Sequence, residues 1–392
     1  MAAIYIDLQP DVLNWIIQKT QFENISDSVI DTLIQWQNGI EKPTFNKIKD
    51  ISRKTHIPLG YFFMQTPIQE DISLVQYRTV DSEALMHPSR NLIDTVQSMQ
   101  RVQDWMEEYC KDNGADTLPF VGSLQSNENY KMIAEDIRNV LELSIDWFKN
   151  YQNSALAFKY LRELITKSGV MVMGSGIVGN STHRKIDVKE FRAFTLVNKY
   201  APLIFINYND SDNGKLFSLL HELAHIWIGC NSLYNVQHIN YTGDNRIEQI
   251  CNTAAAEILV PDILFKEKWN SVSGDIMQRL KLLSSNYFKC SRFVILLKAF
   301  DNGFINRDTL NHLFNELNKD YKKQIEAETE SDNKRRGGGN YYKNLASRWD
   351  TRFIKALSES TVNGDTLFTD AYRLTGVKGK NFNKFVQEVI SK

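Results

Sequence analysis

Two histidines four residues apart, His221 and His225, lie in the apolar stretch LLHELAHIWIG, with Glu222 directly after the first. No other feature of the chain restricts its fold as much. On an α-helix, positions i and i+4 are about 40° apart around the axis and one turn along it, so both imidazoles project from one face. Two rings so placed can bind one Zn²⁺, each nitrogen about 2.0–2.1 Å from the ion. Glu222 stands about 100° round from His221. That puts it beside such an ion and not on it, where a carboxylate can take a proton from water that the metal acidifies. An amphipathic helix with two histidines at the edge of a core would spell the same letters. A third ligand separates the two readings, because a catalytic zinc takes three protein ligands and keeps one position open.

The segment NRIEQICNTAAAEILVP, residues 245–261, offers that ligand. It reads as a second helix from about 245 to 259 that stops before Pro261. Its carboxylates, Glu248 and Glu257, are nine residues apart and point to roughly opposite faces, so at most one meets the metal. Glu248 is the preferred ligand and Glu257 the alternative. Asn252 lies one turn beyond Glu248 on the same face, suited to holding a ligating histidine from behind. Ala254, Ala255 and Ala256 would let the two helices approach closely. His238, in the connecting loop, is the alternative nitrogen ligand or a transition-state donor; a purely structural role competes with both.

The composition is that of a soluble globular protein. The 392 residues suffice for two or three domains. With 42% hydrophobic and 24% charged residues and a net charge of −1, the chain has no overall attraction to nucleic acid or anionic membrane. Any such binding needs a local patch. Cys110, Cys230, Cys251 and Cys290 form no CxxC pair, which fits a reducing compartment and excludes a cysteine-based zinc site. The first residues lack a basic run followed by an apolar one, and stretches such as FVILL are too short to span a bilayer. A cytoplasmic location and no membrane partner are expected. Nothing resembles a phosphate loop, a serine triad or a reactive cysteine site.

Strands are expected at 169–174 (GVMVMG), 191–197 (FRAFTLV) and 202–208 (PLIFINY), followed by the motif helix from about 214 to 229. The fold class is therefore α+β and mainly helical: a small sheet, the two-histidine helix and the third-ligand helix form the core. Around it stand an amino-terminal module (1–68), a helical connecting region (69–165), the metal domain with a small helical extension (166–325), a polar glycine-rich linker (326–345) and a helical appendage (346–392). Within the extension, FKCSRFVILLKAFDNG reads as a helical pair packed on the core.

The stretch FRAFTLVNKYAPLIFINYNDSDNGKLFSLLHELAHIWIG followed by IEQICNTAAAEILVP resembles the ImmA/IrrE family of zinc metallopeptidases. The likeness covers roughly 165–265 by motif. It extends more loosely to YRTVDSEALMHPSRNL upstream and to GGGNYYKNLASRWDTRF and DAYRLTGVK downstream, as in long members that fuse a helix-turn-helix to the peptidase. The resemblance implies a gluzincin-like endopeptidase with one Zn²⁺ per chain. Its Glu-x-x-(Ala/Cys)-Asn segment puts the third ligand on Glu248, beside His221 and His225, with Glu222 as general base. It also implies a protein substrate: a cognate DNA-binding repressor, or an antitoxin-like partner, whose cleavage derepresses genes of a mobile element, phage or stress and defence locus.

IDTLIQWQNGIEKPTFNKIKDISRKTHIPLGYFF, residues 30–63, resembles the later half of a lambda-repressor-like helix-turn-helix. The helix that should read bases carries Asp27 and Asp31 and no Lys or Arg, and carboxylates there repel phosphates. Gln35, Gln37 and Asn38 are the candidate base contacts; Lys42, Lys47, Lys49, Arg53 and Lys54 are the candidate backbone contacts. The competing reading is a docking module for a repressor's own helix-turn-helix or for a second copy in a homodimer. A rival function follows from it: a helix-turn-helix transcriptional regulator or toxin–antitoxin component that uses the zinc fold as a binding scaffold.

Overall fold

Short amphipathic stretches with well-marked ends build the first of two units. The computed structural model describes residues 4–20, 25–68, 88–124, 129–234, 246–332 and 341–391, with backbone alone over 322–332. His238 and the upstream motif up to residue 87 lie outside the described residues. Described residues up to 96 cluster as one unit and those from 97 onward as another. The first contains α1 (Pro10–Thr20), α2 (Asp27–Gln37), α3 (Phe45–Thr55) and a 3₁₀ turn (Leu59–Phe63). They bury Val12, Leu13, Ile16, Leu33, Trp36, Ile48 and Phe62 in a core of their own. Pro10 opens α1 at the position where a missing N–H costs nothing, and the Thr44 hydroxyl caps α3 by accepting from the Lys47 N–H. Lys42 pairs with Asp7 at 2.7 Å, Lys47 with Glu41, and Arg53 and Lys54 with Asp50, all as solvent-exposed ion pairs.

The second unit is larger. Its elements are α4 (Arg90–Asp112, which the unit boundary crosses), α5 (Tyr130–Val140), α6 (Ser154–Ser168), β1 (Met171–Ser175), β2 (Ala193–Leu196), β3 (Leu203–Asn207), α7 (Asp212–Ile228), β4 (Ser232–Tyr234) and α8 (Arg246–Leu259). There follow α9 (Asp262–Ser271), α10 (Ile276–Leu282) running into a π turn, α11 (Arg292–Asp301), α12 (Arg307–Asp332), α13 (Tyr341–Arg348), α14 (Thr351–Asn363), α15 (Phe368–Thr375) and α16 (Lys380–Ile390). Among the described residues, no helix is long and apolar enough to cross a membrane.

The sheet has strand order β1-β3-β2-β4, with β1 parallel to β3 and the other pairs antiparallel. Every residue of its four strands is buried. That explains why the three longer strands read as continuous apolar runs: a sheet covered on both faces has no solvent side to alternate with. The three-residue β4 carries no periodicity and was not expected from the sequence.

Three expectations about the organisation need correction. Residues 97–165 are not a separate connecting region. Ile133, Ile137, Trp147, Phe148, Leu161 and Ile165 share one hydrophobic core with Leu219, Leu220, Leu223 and Trp227. The stretch from 326 does not begin a linker either, because α12 continues to Asp332. Its Glu326, Ala327, Glu328 and Glu330 are polar or small, yet they are strong helix formers. The carboxy-terminal helices, finally, are tied to the sheet. Asp350 is buried; its Oδ2 accepts from Thr166 Oγ1 (2.7 Å) and from the Val172 N–H (3.1 Å) at the start of β1, while Oδ1 caps α14. Arg162 on α6 donates to the carbonyls of Ser347 and Trp349.

Candidate metal centre

Local chemistry starts and stops the motif helix. The Ser211 hydroxyl caps α7 by accepting from the Gly214 N–H, and Gly229 ends it in the left-handed region at φ +85. A Cβ at Gly229 would lie 2.9 Å from the Gly122 Cα, so glycine is required by close approach as well as by backbone angle. Arg192, just before β2, makes a two-oxygen contact with buried Asp210 at 3.1 Å and so ties the start of α7 to the sheet. Every residue from Ser218 to Ile228 is buried, against the sheet on one side and helices α6 and α8 on the others. The helix is thus not amphipathic, and its histidines do not border solvent.

His221 and His225 are 0% and 1% exposed and turn their Nε2 atoms toward each other, 3.1 Å apart. Glu248, from the first turn of α8, places Oε2 3.2 Å from His221 Nε2 and Oε1 3.2 Å from His225 Nε2. All three sets of donor atoms lie within 4.8 Å of one another. Donors bound tetrahedrally to one zinc are about 3.3 Å apart, close to the separations seen here. Two nitrogens and a carboxylate oxygen also form the donor set that zinc takes in catalytic sites. The residues present therefore fit a divalent cation. The side chain of Glu257 lies elsewhere: its Oε2 accepts from buried Lys298 Nζ at 2.5 Å, and its carboxylate also accepts from the Asp262 N–H. Asn252 makes no side-chain hydrogen bond that the described residues show. Cys251, one position earlier, is the neighbour that acts on His225.

Glu222 is fully buried and held on one side only. Its Oε2 accepts from Thr195 Oγ1 on β2 and Ser232 Oγ on β4, both at 2.5 Å, while Oε1 is buried with no hydrogen-bond partner among the described residues. The Tyr234 ring packs on His221 with centroids 4.1 Å apart. None of Thr195, Ser232, Tyr234 and Cys251 was singled out from the sequence. Only Thr195 leaves a signal there, as the lone polar residue of the strand AFTL; Ser232 and Tyr234 belong to the strand that had no pattern.

The cluster has a definite protonation behaviour when no cation is bound. Burial opposes charge on His225, but Cys251 and Glu248 beside it prevail and raise its pKa well above the usual imidazole value. Burial likewise pushes Glu248 up, and the two histidines outweigh it and bring the carboxylate well below its ordinary range. The His225 contribution to stability is thus complete below 6.5 and lost as pH rises through its raised pKa. The Glu248 contribution is present above 4.5 and lost as pH falls through its lowered pKa. A raised pKa means that His225 holds a proton more firmly than a free imidazole, and that proton must leave when Nε2 takes an ion. Zinc titration calorimetry at pH 7 in two buffers of different ionisation heat should register release of about one proton per ion. Identical observed heats in the two buffers, before any correction for buffer ionisation, would mean that no proton is released and would refute this.

A small sheet backing a buried two-histidine helix, with a carboxylate from the next helix, defines a metallopeptidase-type domain. Residues 173–298, about a third of the chain, match the family model for the M78 peptidases, described as an IrrE N-terminal-like domain, and this segment is similar to the ImmA/IrrE peptidases. Residues 349–388 match a domain of unknown function, DUF8813. No curated protein and no solved structure matches the chain.

Proposed function

We propose that the protein is a zinc-dependent endopeptidase with Glu222 as general base and His221, His225 and Glu248 as ligands. The observation that carries this reading is the state of Glu222: one oxygen engaged by two hydroxyls, the other buried and unengaged. A purely structural metal site needs ligands but no such carboxylate. The zinc would polarise the scissile carbonyl and acidify the attacking water. Glu222 Oε1 receives the water proton as the C–O bond forms and passes it to the departing amide nitrogen as the C–N bond breaks.

The substrate we propose is a repressor-like helix-turn-helix protein or antitoxin, recognised by the amino-terminal module and the carboxy-terminal helices. The amino-terminal module, with a core of its own, supports a binding role for it, and Asp27 and Asp31 on the helix that would read bases favour protein over DNA as what it binds. The test is to incubate the full chain with the repressor-like protein encoded nearest its gene, with zinc or with chelator. Zinc-dependent appearance of two fragments with one new amino terminus supports the reading; an uncut partner under both conditions removes this substrate.

A further inference from the structure

The register of the sheet brings two hydroxyls onto one atom. β2 and β4 pair antiparallel with Thr195 opposite Ser232, and directly opposed residues present their side chains to the same face. That face meets α7, where both hydroxyls reach Glu222 Oε2 at 2.5 Å. Thr195 and Ser232 are 0% and 1% exposed, so water does not compete for these bonds. Each hydroxyl has a single hydrogen to donate. Thr195 Oγ1 also lies 3.1 Å from the Glu222 carbonyl oxygen, a longer contact than the one to the carboxylate. A carboxylate that merely filled a polar pocket would share donors between its oxygens. Here, among the described residues, both go to one oxygen and none to the other.

We infer that Thr195 and Ser232 are positioning residues for the hydrolytic step. They fix the plane of the Glu222 carboxylate and occupy Oε2, so that Oε1 alone is left to move the proton. The inference rests on the reading of Glu222 as general base. It goes beyond that reading in assigning the base's orientation to a pair of hydroxyls that come together only through strand pairing.

The test uses the full chain loaded with zinc and a library of internally quenched peptides, with Glu222→Gln as reference. Thr195→Val and Ser232→Ala each remove one hydroxyl; Thr195→Ser keeps it. Each single loss, and more so the double, should lower kcat about 10- to 100-fold with KM and zinc content unchanged, while Thr195→Ser stays within about twofold. A second readout needs no turnover. The infrared carboxylate band that disappears in Glu222→Gln should shift in Thr195→Val and Ser232→Ala and stay in place in Thr195→Ser. Wild-type kcat and an unmoved band in Thr195→Val and Ser232→Ala would overturn the inference. So would an equal loss in Thr195→Ser and Thr195→Val, which would assign the effect to packing. Failure of the underlying reading shows elsewhere: wild type cuts nothing in the library, or Glu222→Gln cuts as well as wild type. Should the double variant not fold, the single variants carry the same comparison.

Discussion

Glu222→Gln is expected to lower hydrolysis about 10²- to 10⁴-fold while the bound metal stays at the wild-type level. Glutamine keeps the shape of the side chain. Its amide oxygen can still accept from Thr195 and Ser232, which leaves the NH₂ group where Oε1 stands. A donor then occupies the position that should receive a proton. The three-donor cluster is untouched, since the contacts that define it run between His221, His225 and Glu248. Elemental analysis together with cleavage rates on one substrate decides the matter. An undiminished rate would remove Glu222 from the mechanism, and loss of metal would make it part of the binding site.

The second large effect separates two glutamates on one helix. Glu248→Ala should abolish stoichiometric zinc binding, because it deletes one of three donors and leaves two imidazoles facing each other across 3.1 Å. Glu257→Ala should keep its zinc and lose stability instead. Lys298 is 2% exposed and donates to Glu257 at 2.5 Å; removing the carboxylate leaves the ammonium with Asp262 at 2.8 Å as its remaining ion-pair partner. Breaking a buried pair of this kind costs about 3 kcal/mol. Zinc content after dialysis and urea unfolding midpoints should therefore move in opposite variants. Equal zinc content in the two, or loss confined to Glu257→Ala, reverses the assignment.

How much of the site was legible follows from how local each feature is. The reading of His221, Glu222 and His225 as one unit used only the helical repeat, and the structure brings the two histidines together on the expected face. The same repeat puts Glu248 and Glu257 on opposite faces, so that only one can point at α7; the choice of Glu248 came from Asn252 one turn on and from the family resemblance. Asn252 shows where that reasoning ran out. Cys251 and Asn252 lie on either side of the Glu248 direction, and the roll of α8 against α7 decides which one meets His225. That roll depends on the packing of Cys251, Ala254, Ala255 and Ile258 in the shared core and not on the phase of the helix alone.

The same division holds for the fold. Periodicity, capping residues and apolar runs along the chain determined the motif helix, the third-ligand helix, the three longer strands and the amino-terminal helices, because the period, the cap or the run of each is written in residues a few positions apart. Only the tertiary structure decided that β4 exists, that Thr195 and Ser232 converge on Glu222, that residues 97–165 belong to the metal domain's core, and that Asp350 ties the last helices to β1. Those contacts join residues 10 to 184 positions apart. Their free energy comes from burial and from hydrogen bonds completed only when distant segments meet, and such pairings leave no period in the sequence to read.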